Sequence, residues 1–258
     1  LAGTDVAILA SLRGADALAL PLRFAARTAR EFGARSVGLI APYLGYMRQD
    51  TRFHRGEAVS TPLFAQFLEE AFDWLVTVDP HLHRVEQLQS LYRIPAVHVS
   101  ATPAVARWIA ETVPDAVLIG PDSESEQWVA DIAARSGMPY QVLAKERHGD
   151  YDVRVSLPDP AAVAGRAPVL IDDIVSSGHT ILETLAHLRR LSLPPPLLVT
   201  IHPVFAGDAY ARLQEAGLAR IVSTDTIAHP SNAIALGADL AAAASTLMTA
   251  LTDFPEDP

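Results

Sequence analysis

The amino-acid sequence predicts an α/β protein of two tandem domains, each a parallel sheet flanked by helices. Three observations lead there. Apolar runs with strand character alternate with helix-spaced runs along almost the whole chain, as expected for parallel strands covered on both faces by crossover helices. The strand-like runs are numerous for one sheet, so two similar halves are expected, parted near residues 100–103. Polar clusters at 46–55, 79–83, 121–126, 172–180 and 202–208 each follow a strand-like run, and open α/β sheets bind ligands beyond the carboxyl ends of their strands.

The elements follow in order. Residues 6–12 read as a strand, and 17–32 carry helical spacing up to Gly33, a residue suited to the turn that ends a helix. Strand 36–41, helix 62–72 and strand 74–78 come next. After them come helix 104–112, strand 116–119, helix 127–135 and strand 140–144. Residues 151–157 alternate polar and apolar, as an edge strand does. Strand 169–171, helix 180–191, strand 197–201, helix 208–216 and strand 220–223 complete the alternation, with 194–196 a rigid Pro loop. The longest apolar tract, 234–251, is Ala-rich and broken by Asp239, so it predicts a packed helix over 238–251 and not a membrane span.

Composition narrows the function classes. The net charge of −10 makes a nucleic-acid partner or an acidic membrane surface unexpected, since both need basic protein surface. Cysteine is absent, which excludes thiolate catalysis, disulfides and Cys-ligated zinc and suits a cytoplasmic location. The chain begins at Leu1, with no signal-peptide pattern in its first residues.

Residues 169–180 read VLIDDIVSSGHT, a short apolar strand, two acids, a small-residue turn and a helix start. Free amides of such a turn and of the helix N-terminus hold a phosphate dianion, with Ser177 and Thr180 as hydroxyl donors and Gly178 allowing close approach. Asp172 and Asp173 are badly placed against the phosphate itself; they suit the two neighbouring hydroxyls of a ribose, or a Mg²⁺ bound to them. A plain strand–turn–helix with a Ser N-cap is the other reading, but a cap does not need the pair of acids.

This segment resembles the signature that binds 5-phosphoribosyl-1-diphosphate (PRPP) in phosphoribosyltransferases and in ribose-phosphate pyrophosphokinases (PRPP synthetases). The usual form has two acids and a Thr-Gly-Gly-Thr-like turn. Here Ser177 replaces the first Thr, His179 stands where Gly is common, and Ser176 where many members carry a third acid. The resemblance implies that Asp172 and Asp173 hold the ribose and that Ser176, Ser177, Gly178, His179 and Thr180 hold its 5-phosphate.

Further segments choose within that superfamily. Residues 42–57, PYLGYMRQDTRFHRGE, resemble the ATP-binding segment of the synthetases, which implies that Arg48, Gln49 and Asp50 contact ATP, with Arg48 near its phosphates. Residues 76–83, VTVDPHLH, resemble the family strand whose His helps bind Mg-ATP; His81 takes that position. Asp79, His81 and His83 share one side of an extended stretch, so a His-x-His metal site of amidohydrolase type is a rival reading. Residues 118–122, LIGPD, resemble the segment whose acid is linked to a second Mg²⁺, here Asp122. The match then departs: Glu124 and Glu126 are extra acids that either hold a metal or cap the next helix, and Trp128 stands near the family's Arg. Lys145 and Arg147 of 145–147, KER, resemble the catalytic loop whose cations stabilise the transferring diphosphate. Residues 201–207 and 224–227 resemble late family segments.

The resemblance runs collinearly from about Arg13 to the C-terminal helix, and it is to a short, divergent, bacterial-type PRPP synthetase. It implies two phosphoribosyltransferase-like domains, 1–100 joined by helix 238–258, and 101–237, with the active site between them. It also implies Mg²⁺ as cofactor, ATP and ribose 5-phosphate as substrates, and a homo-oligomer, dimer or higher. Lys145, Arg147 and His81 would be catalytic, with His81 and Asp122 serving the metal. A phosphoribosyltransferase and a non-catalytic regulatory homologue are the alternatives. The family's Phe-Ser-Asp-Gly-Glu-like hairpin, which helps hold adenine, has no counterpart in these 258 residues.

Overall fold

A computed structural model describes residues 1–52, 54–82, 87–143, 145–147, 153–155, 163–189 and 193–252. The chain divides into two compact units, Leu1–Ser100 with Leu236–Pro258, and Ala101–Ala235.

The first unit alternates β1 (Asp5–Leu9), α1 (Ala15–Glu31), β2 (Ser36–Ala41), α2 (Ser60–Glu69), β3 (Trp74–Val78) and β4 (Ala96–Val99). The strands lie in the order β1-β2-β3-β4, all parallel. β3 is buried at every position, which is why it reads as a continuous apolar run with no alternation. Leu22, Ala26 and Ala29 of α1 and Phe64, Ala65 and Leu68 of α2 belong to one core with Val37, Leu39 and Leu75. β4 falls where the sequence shows no strand. It has four residues, of which Val97 and His98 are exposed, so no burial period develops.

The second unit runs α3 (Thr102–Thr112), β5 (Ala116–Gly120), α4 (Glu126–Ser136), β6 (Tyr140–Val142), then the antiparallel pair β7 (Lys145–Arg147) and β8 (Val153–Val155). β9 (Ala167–Ile174), α5 (His179–Arg189), β10 (Leu197–His202), α6 (Ala209–Glu215), β11 (Arg220–Thr224) and β12 (Asn232–Ile234) follow. Six strands form a sheet in the order β12-β11-β10-β9-β5-β6, again parallel throughout. α7 (Gly237–Thr252) belongs to the first unit, where it packs on β3 and β4. No helix among the described residues is long and apolar enough to cross a membrane.

Besides the unexpected strands β4 and β12, three features differ from the sequence expectation. β9 extends to Ile174, so Asp172 and Asp173 lie inside the strand, with Thr200 of β10 opposite Asp172. The expected edge strand over 151–157 is described only as Val153–Val155, and it pairs with Lys145–Arg147 in a separate ribbon instead of closing the sheet. Lys145 and Arg147 therefore sit in a strand, not at the start of an open loop. His83, Ala144, Leu191 and 253–258 lie outside the described residues.

Candidate active site

In the second unit β5 leads outward to β6, while β9 leads in the opposite direction to β10. Divergence of this kind opens a crevice beyond the carboxyl ends of the two diverging strands. β5 ends at Gly120, two residues before Asp122; β9 carries Asp172 and Asp173 and then the turn 175–178.

The acids differ in environment. The Asp172 carboxyl is pushed well above the usual carboxylate range, first by burial and then by the negative charges of Asp173 and Asp122. Asp122 therefore stands near enough to Asp172 to act on it, although the two are far apart in sequence. Asp173 is 4% exposed, and its carboxylate accepts the Ile174 amide at 2.8 Å. Asp122 caps the turn that opens α4: its Oδ1 accepts the amides of Glu124 at 3.1 Å and Ser125 at 3.2 Å. The cap is thus Asp122 itself, with Glu124 and Glu126 exposed beyond it. Trp128 is buried in α4, so its indole packs inward and stands in for no cation.

Gly178 has φ +71, and a Cβ there would meet the Leu213 side chain at 3.0 Å. Among the described residues, the amides of Ser176, Ser177 and Gly178 donate to no protein acceptor. His179 opens α5 and faces Glu183 one turn on, at 3.1 Å. The turn thus offers three backbone donors and the start of a helix, the equipment that holds a phosphate.

In the first unit the turn after β2 is built differently. Leu44 and Met47 anchor it in the core, and the Leu12 amide holds the Tyr43 carbonyl at 2.8 Å. Gly45 packs so tightly that a Cβ would lie 2.8 Å from the Leu12 carbonyl oxygen. The buried Thr61 hydroxyl lies 2.9 Å from the carbonyl oxygens of both Tyr46 and Gln49. Tyr46 has φ 63, and its hydroxyl donates to Asp16, which raises the phenol's pKa. Arg48 is exposed and pairs with no acid among the described residues; Gln49 and Asp50 are half-buried. His81 is 8% exposed and follows Asp79, whose φ is 26.

No group of three or more His, Asp or Glu among the described residues stands close enough together to hold a metal ion. Mg²⁺ does not require such a cage: it keeps several waters and binds through one or two carboxylates plus substrate phosphates. Asp122 and Asp172, whose charges act on each other, are two carboxylates of the hard-oxygen kind that ion takes.

Residues 1–71 match the sequence family "N-terminal domain of ribose phosphate pyrophosphokinase", and 96–226 match "Phosphoribosyl transferase domain". The ribose-phosphate pyrophosphokinase of Methanopyrus kandleri is 34% identical over 221 residues, 85% of this chain and 75% of the relative. The chain belongs to the ribose-phosphate pyrophosphokinase family. The Methanothermobacter thermautotrophicus enzyme of that name is 32% identical over 81% of this chain and 72% of its own. The fold of the phosphoribosylpyrophosphate synthetase of Mycobacterium smegmatis superposes with a TM-score of 0.80, covering 98% of this chain and 84% of that one at 23% identity. Membership makes this a chain of an enzyme family that transfers phosphorus groups, built on the phosphoribosyltransferase fold.

Two residues escaped the sequence reading. Thr61 ties the Tyr46–Gln49 turn, and Arg212 of α6 reaches the Ser177 carbonyl at 3.0 Å. Asp208 and Arg212 are visible as a helical i,i+4 pair, but nothing local links Arg212 to a turn 35 positions away.

Proposed function

We propose that the chain is a ribose-phosphate diphosphokinase that transfers the β,γ-diphosphate of Mg-ATP to the anomeric hydroxyl of ribose 5-phosphate. The hydroxyl oxygen bonds to the β-phosphorus, the bond from that phosphorus to the α,β-bridging oxygen breaks, and AMP leaves with the bridging oxygen. The hydroxyl proton passes to solvent. The products are PRPP and AMP.

The observation that carries this reading is the turn after β9, where three unpartnered amides follow a pair of acids, in a chain of this family. Ser176, Ser177, Gly178, His179 and Thr180 take the 5-phosphate. Asp172 and Asp173 take the ribose hydroxyls, directly or through the metal. Arg48, with no acid competing for it among the described residues, grips ATP phosphate oxygens, and Gln49 and Asp50 support it. His81 serves Mg-ATP, and Asp122 is a second Mg²⁺-linked acid. When bound, Mg²⁺ supplies charge neutralisation on the diphosphate. Lys145 and Arg147 neutralise the charge that develops on the transferring group. The resemblance to the synthetases also supports a homo-oligomer, to be read by light scattering.

The test incubates the protein with Mg-ATP and ribose 5-phosphate and follows AMP and PRPP. Equal amounts of both are expected, and Lys145→Ala should lower turnover by about two orders of magnitude or more while ribose 5-phosphate still binds. The buried Trp128, standing where the family carries Arg, favours a regulatory homologue as the second reading. That reading predicts binding of both substrates and no AMP.

A further inference from the structure

We infer that the segment Phe205–Arg212 is a clamp that sets the direction of the phosphate-binding amides, and that Arg212 is a positioning residue for the 5-phosphate. The inference rests on the proposed phosphate role of the turn after β9.

Three consecutive carbonyls of that turn are held from one side. The Phe205 amide donates to the Val175 carbonyl at 2.8 Å, and the Ala206 amide to the Ser176 carbonyl at 3.0 Å. The Arg212 guanidinium donates to the Ser177 carbonyl at 3.0 Å. In a planar trans peptide the C=O and the following N–H point in opposite directions. Holding those three carbonyls therefore turns the next three N–H groups, of Ser176, Ser177 and Gly178, away from the clamp. These are the amides left without a protein acceptor among the described residues.

The clamp is itself braced. Val175 donates to the His202 carbonyl at 3.2 Å, so the turn and the clamp start from the same point on adjacent strands. Phe205 is buried and has φ 38, a conformation that a bulky residue adopts only where its surroundings hold it. It packs against Tyr210 and His229, with ring centroids at 5.1 and 4.8 Å. Arg212 is pinned through its Nε to Asp208 at 3.0 Å, leaving the other end of the fork for Ser177. Two clamp donors are backbone amides, which every substitution except proline leaves in place; the third is a side chain and can be removed. It governs the Gly178 amide, whose residue also needs the left-handed backbone. Charge on the donor adds a further effect: it polarises the Ser177–Gly178 peptide and makes its N–H a better donor to an anion.

The test uses the full chain and calorimetric binding of ribose 5-phosphate, with ATP binding and melting temperature measured in parallel. Arg212→Met keeps an unbranched apolar stem and removes the donors. It should weaken ribose 5-phosphate by about tenfold and raise its KM similarly, leaving ATP affinity, kcat and melting temperature near those of the parent. Arg212→Lys should recover most of the loss. Equal ribose 5-phosphate affinity in the parent and in Arg212→Met would overturn the clamp and leave the phosphate turn standing. Parallel loss of ATP affinity and thermal stability would also overturn it, since Arg212 would then be a general structural residue. A parent protein that binds no ribose 5-phosphate would remove the phosphate role itself, and the clamp with it.

Discussion

The turn after β2 and the turn after β9 both follow a parallel strand from a buried core, yet they leave opposite parts of the chain for a ligand. In the first unit, Thr61 holds the carbonyls of Tyr46 and Gln49, and the exposed group is a side chain, Arg48. In the second unit the carbonyls of Val175, Ser176 and Ser177 are held by a neighbouring segment, and the groups without a protein partner among the described residues are amides. Backbone donors are short and fixed, which suits one small dianion. An Arg on a long stem suits a larger polyphosphate, which it meets with a planar fork. The contrast teaches that two loops equally polar in sequence can be specialised by where their carbonyls are tied.

The contrast can be broken most forcibly at Gly178. A β-branched residue at φ +71 is strained, and its branch would meet Leu213. Gly178→Val should cost about a hundredfold in ribose 5-phosphate affinity and spare ATP binding, both read by calorimetry. Retained ribose 5-phosphate binding would mean that the backbone of this turn is not the receptor. The reciprocal change is Arg48→Ala, which should weaken ATP about tenfold and leave ribose 5-phosphate alone. A loss on the ribose side instead would reverse the assignment of the two turns.

Asp172 sharpens the comparison through stability. Its raised pKa means that the folded state takes up a proton more readily than the unfolded one. Stability from this group is therefore complete below the unfolded pKa and is lost as pH rises through the folded value. Asp172→Asn should raise the melting temperature above that window, by about 2–4 °C for each kcal/mol relieved, and leave it unchanged in acid. The same variant should bind ribose 5-phosphate poorly. A melting curve that ignores the substitution at neutral pH would show that the carboxylate is already compensated. The smallest effect belongs to Thr61→Val, which removes the donor to two carbonyls. It should cost about 1 kcal/mol in denaturant unfolding and loosen ATP binding more than ribose 5-phosphate binding. Equal weakening of both would show that Thr61 supports the unit at large.

Much of the architecture is legible residue by residue. The strands at 36–41 and 74–78 are read at their observed limits because continuous apolar runs between turn residues leave few alternatives. The α1 reading falls within two residues of Ala15–Glu31 at its start, and Gly33 beyond it does adopt a left-handed φ of 83. The strands Ala96–Val99 and Asn232–Ile234 are not legible: four and three residues are too few to establish a period. The chemistry of 169–180 is local, so its acids, hydroxyls and Gly178 were open to inspection.

By itself, then, the sequence determined the parallel α/β class through periodicity, which turns carry acids, cations and a glycine through short runs of residue types, and the family through the resemblance of those runs to its motifs. Only the tertiary structure decided that β9 lies between β5 and β10. That order brings Asp122 to bear on Asp172, and lets Phe205, Ala206 and Arg212 hold the carbonyls of 175–177. The physical reason is range. A side-chain period extends over one element, whereas these contacts arise from the direction in which each crossover leaves its strand, and that is settled when the sheet assembles.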